Sequence, residues 1–195
     1  DILVNGAGVI AAGPYFCAEN SLRYALGRCM KGDDPIAADE LVSLTSELAL
    51  NGAIDPIAGL ATDRVWLFHG GADPVVAKSV VDALQSYYAT LVDPRGVKRI
   101  DFAAAGHTFP AAASDLQACS ATDTPFIGSC GMDGARRLLE HLYGPFKAQV
   151  AAATPGTLVK FSQTTYAHAA GAAGLAARAW LYVPAACAGQ GPAGG

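Results

Sequence analysis

The stretch Val65–Val76, VWLFHGGADPVV, decides the fold. Val65, Trp66, Leu67 and Phe68 form an apolar run with the length and composition of a buried strand. Gly70-Gly71 then forces a turn, and Asp73-Pro74 follows. Asp is a preferred helix N-cap and Pro suits the first helical position, so a helix is expected to begin there. Strand, glycine turn, acid and helix together place the Asp73 carboxylate at the carboxyl end of a strand, where open α/β sheets keep their chemistry. A second stretch repeats the layout: the strand-like Val97–Ala103 (VKRIDFA) runs into Ala104–Pro110 (AAGHTFP), setting His107 on a loop at its own strand end. If these strands are parallel neighbours, Asp73 and His107 emerge on one edge of the sheet.

Around this centre the chain reads as alternating units. Asp1–Ile10 is a core-like strand, and Gly13–Lys31 is a loop. Asp33–Asn51 is a helix with Asp34 as cap and Pro35 at its start, and Ala53–Asp63 is a connector. After Asp73, the residues Val76, Val80, Leu84, Tyr87 and Leu91 recur at helical spacing, while Lys78, Asp82 and Gln85 mark the solvated side. Pro110–Cys130 reads as irregular, and Asp133–Tyr143 as a helix ended by Gly144-Pro145. Residues 1–150 thus form an α/β core carrying the acid and the base. Residues 151–195 read as an alanine-rich linker and an antiparallel strand pair, Leu158–Gln163 with Arg178–Val183, of the same domain.

Composition narrows the function. Of 195 residues, 52% are apolar and 15% charged, enough for a core and unlike a disordered chain. The net charge of −4 argues against a nucleic-acid partner, which needs clustered Lys and Arg. Lys98-Arg99 and Arg136-Arg137 are the only basic clusters, and each reads as a solvated face. No apolar run approaches the ~20 residues of a membrane helix. Cys17 and Cys29, then Cys119 and Cys130, bracket loops of about a dozen residues, which a disulfide stabilises by roughly 3 kcal/mol. Unrelated buried thiols and a zinc site are the alternatives, but no CxxC spacing or companion His cluster supports zinc. Two local disulfides imply an oxidising compartment. Cys187 is left over, Asp1 leads straight into core-like sequence, and 188–195 (AGQGPAGG) reads as a flexible stretch. Together these predict a chain cut at both ends.

Asp73 alone reads as a helix cap, and His107 alone as either a site residue or a structural histidine. Their order on successive strand ends is that of the later two members of an α/β-hydrolase triad, Ser then Asp then His. No G-x-S-x-G occurs in the chain. The nearest imitation, Gly128-Ser129-Cys130-Gly131, follows the histidine. His69 reads as ordering the glycine turn; a metal site of His69, Asp73 and His107 has no zinc motif behind it. His141 and His168 read as structural or exposed. Tyr15, Phe16, Trp66 and Trp180 are candidates for core or pocket wall.

Several motifs carry a resemblance: Gly6–Ala18 (GAGVIAAGPYFCA), Leu67–Val76 (LFHGGADPVV), Gly106–Pro110 (GHTFP), PFIGSCG within Cys119–Gly131, Leu138–Pro145 (LLEHLYGP) and Trp180–Ala188 (WLYVPAACA). Spread over nearly the whole chain, they resemble the secreted poly(3-hydroxybutyrate) depolymerases, specifically the short-chain-length polyhydroxyalkanoate type with its lipase box near the N-terminus. The resemblance implies a circularly permuted α/β-hydrolase fold, incomplete here at both ends. It implies Asp73 and His107 as the acid and base of the triad, with the serine one helix upstream of Asp1. It also implies a cysteine partner for Cys187 and the oxyanion-hole loop shortly past Gly195. The expectation is a monomeric, cofactor-free, metal-free serine esterase acting on polyester or oligoester. A feruloyl or other carbohydrate-acyl esterase of the same fold and a non-catalytic binding relic are the alternatives.

Overall fold

A computed structural model describes residues 5–146, 155–164, 176–187 and 189. The chain divides into two compact units, Asp1–Pro145 and Phe146–Gly195.

In the first unit, β1 (Gly6–Ile10), β2 (Arg64–Gly70) and β3 (Val97–Phe102) form a parallel sheet in the order β1-β2-β3. Between β1 and β2 lie the short helix α1 (Leu22–Leu26), which runs into a single π turn, and α2 (Ala38–Leu50). The helix α3 (Lys78–Leu91) connects β2 to β3. As the middle strand, β2 is covered on both faces, which explains why its apolar run does not alternate. Val65 and Leu67 pack with Leu84 and Val92 on one face. Trp66 and Phe68, stacked with ring centroids 5.9 Å apart, pack on the other with Ala105, Met132 and Leu138. Leu138 belongs to α4 (Gly134–Tyr143), which Asp133 caps by accepting from the Arg136 N–H at 2.9 Å. The helix α2 lies against α3 through Leu41 and Tyr87, beside the Cys17–Cys29 disulfide.

Five local expectations are corrected. Gly13–Lys31 is not all loop, since α1 and the π turn that follows it occupy 22–31. The helix after the glycine turn begins at Lys78 rather than at Asp73-Pro74. Asp73 spends its carboxylate on the Val75 and Val76 N–H groups, and Ala77 N–H donates to the Met30 carbonyl at 2.7 Å, so 73–77 stays a loop. Likewise α2 begins at Ala38, not beside Asp34-Pro35. Ile36 packs against the core of Cys17 and Tyr87, which holds the segment before it out of the helix, and Asp39 and Glu40 supply first-turn acids instead. The region from Pro110 to Cys130 is not wholly irregular. It contains β4 (Phe109–Ala111), β5 (Gln117–Ala118) and β6 (Ile127–Ser129), a small parallel sheet in the order β4-β6-β5. Strands this short leave no periodicity to read. Finally, Arg99 is not on a solvated face. Its side chain is only 9% exposed and binds Asp82 of α3 at 2.7 Å and Asp101 at 2.8 Å.

The second unit contains β7 (Gly156–Ser162) and β8 (Arg178–Pro184), an antiparallel pair in the register Gly156↔Pro184 to Ser162↔Arg178. Leu158, Phe161, Trp180, Leu181 and Tyr182 are exposed. The alanine-rich linker and His168 lie outside the described residues.

Candidate active site

The site is built at the carboxyl ends of β2 and β3. Gly70 and Gly71 turn the chain so close to the 103–106 segment that a Cβ on Gly70 would collide with the Gly106 and Ala105 carbonyl oxygens. This proximity lets Gly71 N–H donate to Phe102 O at 2.8 Å and Ala72 N–H to Ala105 O at 2.9 Å. The two strand-end loops are therefore sewn together by backbone bonds before any side chain is considered. A Cβ at either position would run into backbone atoms, so both are glycine.

Asp73 stands at the top of this seam. One carboxylate oxygen, Oδ1, accepts the Val75 N–H at 2.7 Å and the Val76 N–H at 2.9 Å. The other, Oδ2, accepts from His107 Nδ1 at 2.9 Å. The Asp73 side chain is 0% exposed and that of His107 30%. Because a carboxylate only accepts, this bond places the neutral imidazole's proton on Nδ1 and leaves a lone pair on Nε2. No group among the described residues bonds to Nε2. An imidazole with its orientation fixed by a buried carboxylate and its second nitrogen open has the geometry that general-base chemistry requires.

Two residues that hold His107 are invisible in the sequence pattern. Thr122 Oγ1 accepts the His107 N–H at 3.1 Å, and the Phe126 ring meets the imidazole edge-on, with centroids 6.0 Å apart at 82°. Both sit on the loop closed by the Cys119–Cys130 disulfide, whose Cys119 carbonyl accepts the Gly106 N–H at 2.9 Å. Nothing in the spacing of Thr122 or Phe126 marks either. Only the disulfide loop around them is legible.

His69, His141 and Ser129 make contacts of their own rather than with His107. His69 is buried, with Nε2 donating to Val76 O at 3.3 Å and Nδ1 3.4 Å from Asp101 Oδ1. Among the described residues no cluster of His, Cys, Asp or Glu is arranged to hold a metal. His141 binds Gly96 O at 2.8 Å, tying α4 to the turn before β3. Ser129 donates to Ala113 O at 2.5 Å within the small sheet. Trp66 is core, while Tyr15 and Trp180 are exposed. Cys187 is exposed and unpaired among the described residues.

Sequence and structure comparisons show which proteins the chain is similar to. A poly(3-hydroxybutyrate) depolymerase of Delftia acidovorans is 40% identical over 186 residues, 93% of this chain. The chain is a relative of the poly(3-hydroxybutyrate) depolymerases. A polyhydroxybutyrate depolymerase of Talaromyces funiculosus is 29% identical over 96% of the chain. Two solved structures share the fold. One, a PHB depolymerase with a serine-to-alanine substitution complexed with an R3HB trimer, superposes with a TM-score of 0.81 at 28% identity, over 94% of this chain and 56% of its own. The other, a PHB depolymerase from Penicillium funiculosum, gives a TM-score of 0.80 at 27% identity, over 92% and 55%. The chain spans 36% of the Delftia depolymerase and 54% of the Talaromyces one, roughly a third and a half of their lengths. A scan of known protein families finds no match.

Proposed function

We propose that this chain is the acid–base portion of a secreted serine esterase that hydrolyses poly(3-hydroxybutyrate) or related short-chain polyhydroxyalkanoates. The observation that carries the reading is the bond from His107 Nδ1 to the buried Asp73 Oδ2 at 2.9 Å, at the adjoining ends of two parallel strands. In this reading His107 Nε2 takes the proton of a serine hydroxyl as the serine oxygen attacks the ester carbonyl. The imidazolium formed, stabilised by Asp73, returns that proton to the departing alkoxide and leaves an acyl-enzyme. Water, deprotonated by the same nitrogen, then releases the hydroxyacid or oligomer and regenerates the serine.

The serine is assigned to a G-x-S-x-G box outside these residues, since the 195 positions contain none. The same reading takes the fold as a circularly permuted α/β-hydrolase incomplete at both ends, residues 151–195 as part of the catalytic domain of 1–150, and the whole as a monomer. The two disulfides suit an oxidising, extracellular setting, and no helix among the described residues is long and apolar enough to cross a membrane.

The test is hydrolysis of the polymer and of soluble butyrate esters by the complete protein. Asp73→Ala and His107→Ala should each lower kcat by at least about a thousandfold with the fold intact. Full activity in either variant would overturn the assignment. Attack on soluble esters alone would move the substrate toward other acyl esters while keeping the mechanism.

A further inference from the structure

The loop that aims Asp73 is itself held from below. Asp73 Oδ1 is fixed by the N–H groups of Val75 and Val76, so the carboxylate points wherever those two peptides point. The next peptide, Val76–Ala77, is clamped at both ends. Its N–H donates to Met30 O at 2.7 Å, and its carbonyl accepts from His69 Nε2 at 3.3 Å. Val76 is buried, so no solvent stands ready to replace the imidazole. His69 is the last side chain of β2 before the glycine turn, on the same face as Val65 and Leu67. Its cross-strand partner in the register with β3 is Asp101. Asp101 Oδ1 lies 3.4 Å from His69 Nδ1 and is anchored by Arg99 at 2.8 Å, which also binds Asp82 of α3.

We propose that His69 is a positioning residue for the reaction: by donating to the Val76 carbonyl, it fixes the two N–H groups that aim the Asp73 carboxylate at His107. Its two ring nitrogens face Val76 O and Asp101 Oδ1, not His107. Its influence on rate therefore runs wholly through the orientation of Asp73. The inference rests on the acid–base reading of Asp73 and His107 given above.

The experiment measures soluble-ester kinetics of the complete protein, with the low-field proton resonance of the His107 Nδ1–H bond as a second readout. His69→Leu keeps volume without a donor, His69→Gln carries an amide N–H near the Nε2 position, and His69→Asn carries one too short to reach. The expected result is a fall in kcat of about 10- to 100-fold for His69→Leu and His69→Asn with KM within about twofold, and recovery of most activity in His69→Gln. The resonance persists in His69→Gln and is lost or shifted in the other two. Wild-type kcat and resonance in His69→Leu, or equal loss in His69→Gln and His69→Asn, would overturn the proposal. If His69→Leu fails to fold, the Gln–Asn contrast decides. A His107→Ala control that keeps its activity would instead overturn the underlying acid–base reading, and the resonance would still report whether His69 orders Asp73.

Discussion

Asp73 carries two jobs on two oxygens, and a substitution can separate them. Asp73→Asn can keep its Oδ1 contacts with Val75 and Val76 while presenting an N–H₂ donor to His107 Nδ1. The imidazole then moves its proton to Nε2 to accept that donor, and the lone pair needed to deprotonate a serine is gone. Asp73→Asn should therefore fold with a melting temperature near wild type while kcat falls by about three to four orders of magnitude. Asp73→Ala should lose stability as well, because two partly buried N–H groups lose their acceptor. Measuring both Tm and kcat for the pair checks this; equal activity in Asp73→Asn and wild type would refute it. The identity and pairing of Asp73 and His107 were legible in the sequence because both follow a strand on a glycine-containing loop. Asp73's expected role as a helix cap was not what the fold uses. Local rules rank Asp before Pro as a cap, and only the contact with Met30 across the fold reveals that 73–77 stays a loop. Thr122 and Phe126 were beyond reach for a related reason, since they meet His107 through tertiary placement of an irregular loop.

At the scale of elements, β2 is the strand on which the site depends, and its packing makes a graded prediction. Trp66 is fully buried, stacked on Phe68, and its indole N–H has no partner among the described residues. Trp66→Ala should cost about 3–5 kcal/mol through the cavity it opens. Trp66→Phe keeps an aromatic ring beside Phe68 and removes an unsatisfied donor, so it should cost no more than about 1–2 kcal/mol. Denaturant unfolding of both variants gives the comparison, and an equal cost would contradict the packing account. The continuous apolar run of β2 was readable as a buried strand, as was the helical stripe of α3. Helix starts were displaced because tertiary bonds overrode capping preferences, and β4–β6 escaped notice because two- and three-residue strands carry no period.

The Arg99 network links α3 to β3 and sets an acid limit on that junction. Burial alone would raise the Asp82 carboxyl, but hydrogen bonds and charge from Lys78 and Arg99 outweigh it, so its pKa lies below the ordinary value of 3.8. A depressed carboxyl contributes stability that is complete above the unfolded value and fades as pH falls through the folded one. Between about pH 5 and pH 3 the wild type should therefore lose more Tm than Asp82→Asn does. The difference should be modest and should shrink in high salt, since Asp82 is nearly half exposed. Identical acid profiles for the two proteins would show that the network does not stabilise the fold.

For the molecule as a whole, the disulfide Cys119–Cys130 joins stability to chemistry. It closes the loop that carries Thr122 and Phe126 and presents the Cys119 carbonyl to Gly106, next to His107. Loop closure of this size stabilises by roughly 2–4 kcal/mol. A Cys119→Ser/Cys130→Ser double variant should lower kcat more than removal of Cys17–Cys29, which packs against α2 and α3. Equal effects on activity would mean that the second loop does not seat His107.

The central claim is that the Asp73–His107 pair activates a serine, and covalent labelling tests it most directly. The complete protein is treated with a fluorophosphonate ester, and the modified residue is located by mass spectrometry. The expected result is a single labelled serine within a G-x-S-x-G sequence, with labelling slowed at least about a thousandfold in His107→Ala. Labelling at an undiminished rate in that variant, or no labelled serine in the active wild type, would contradict it.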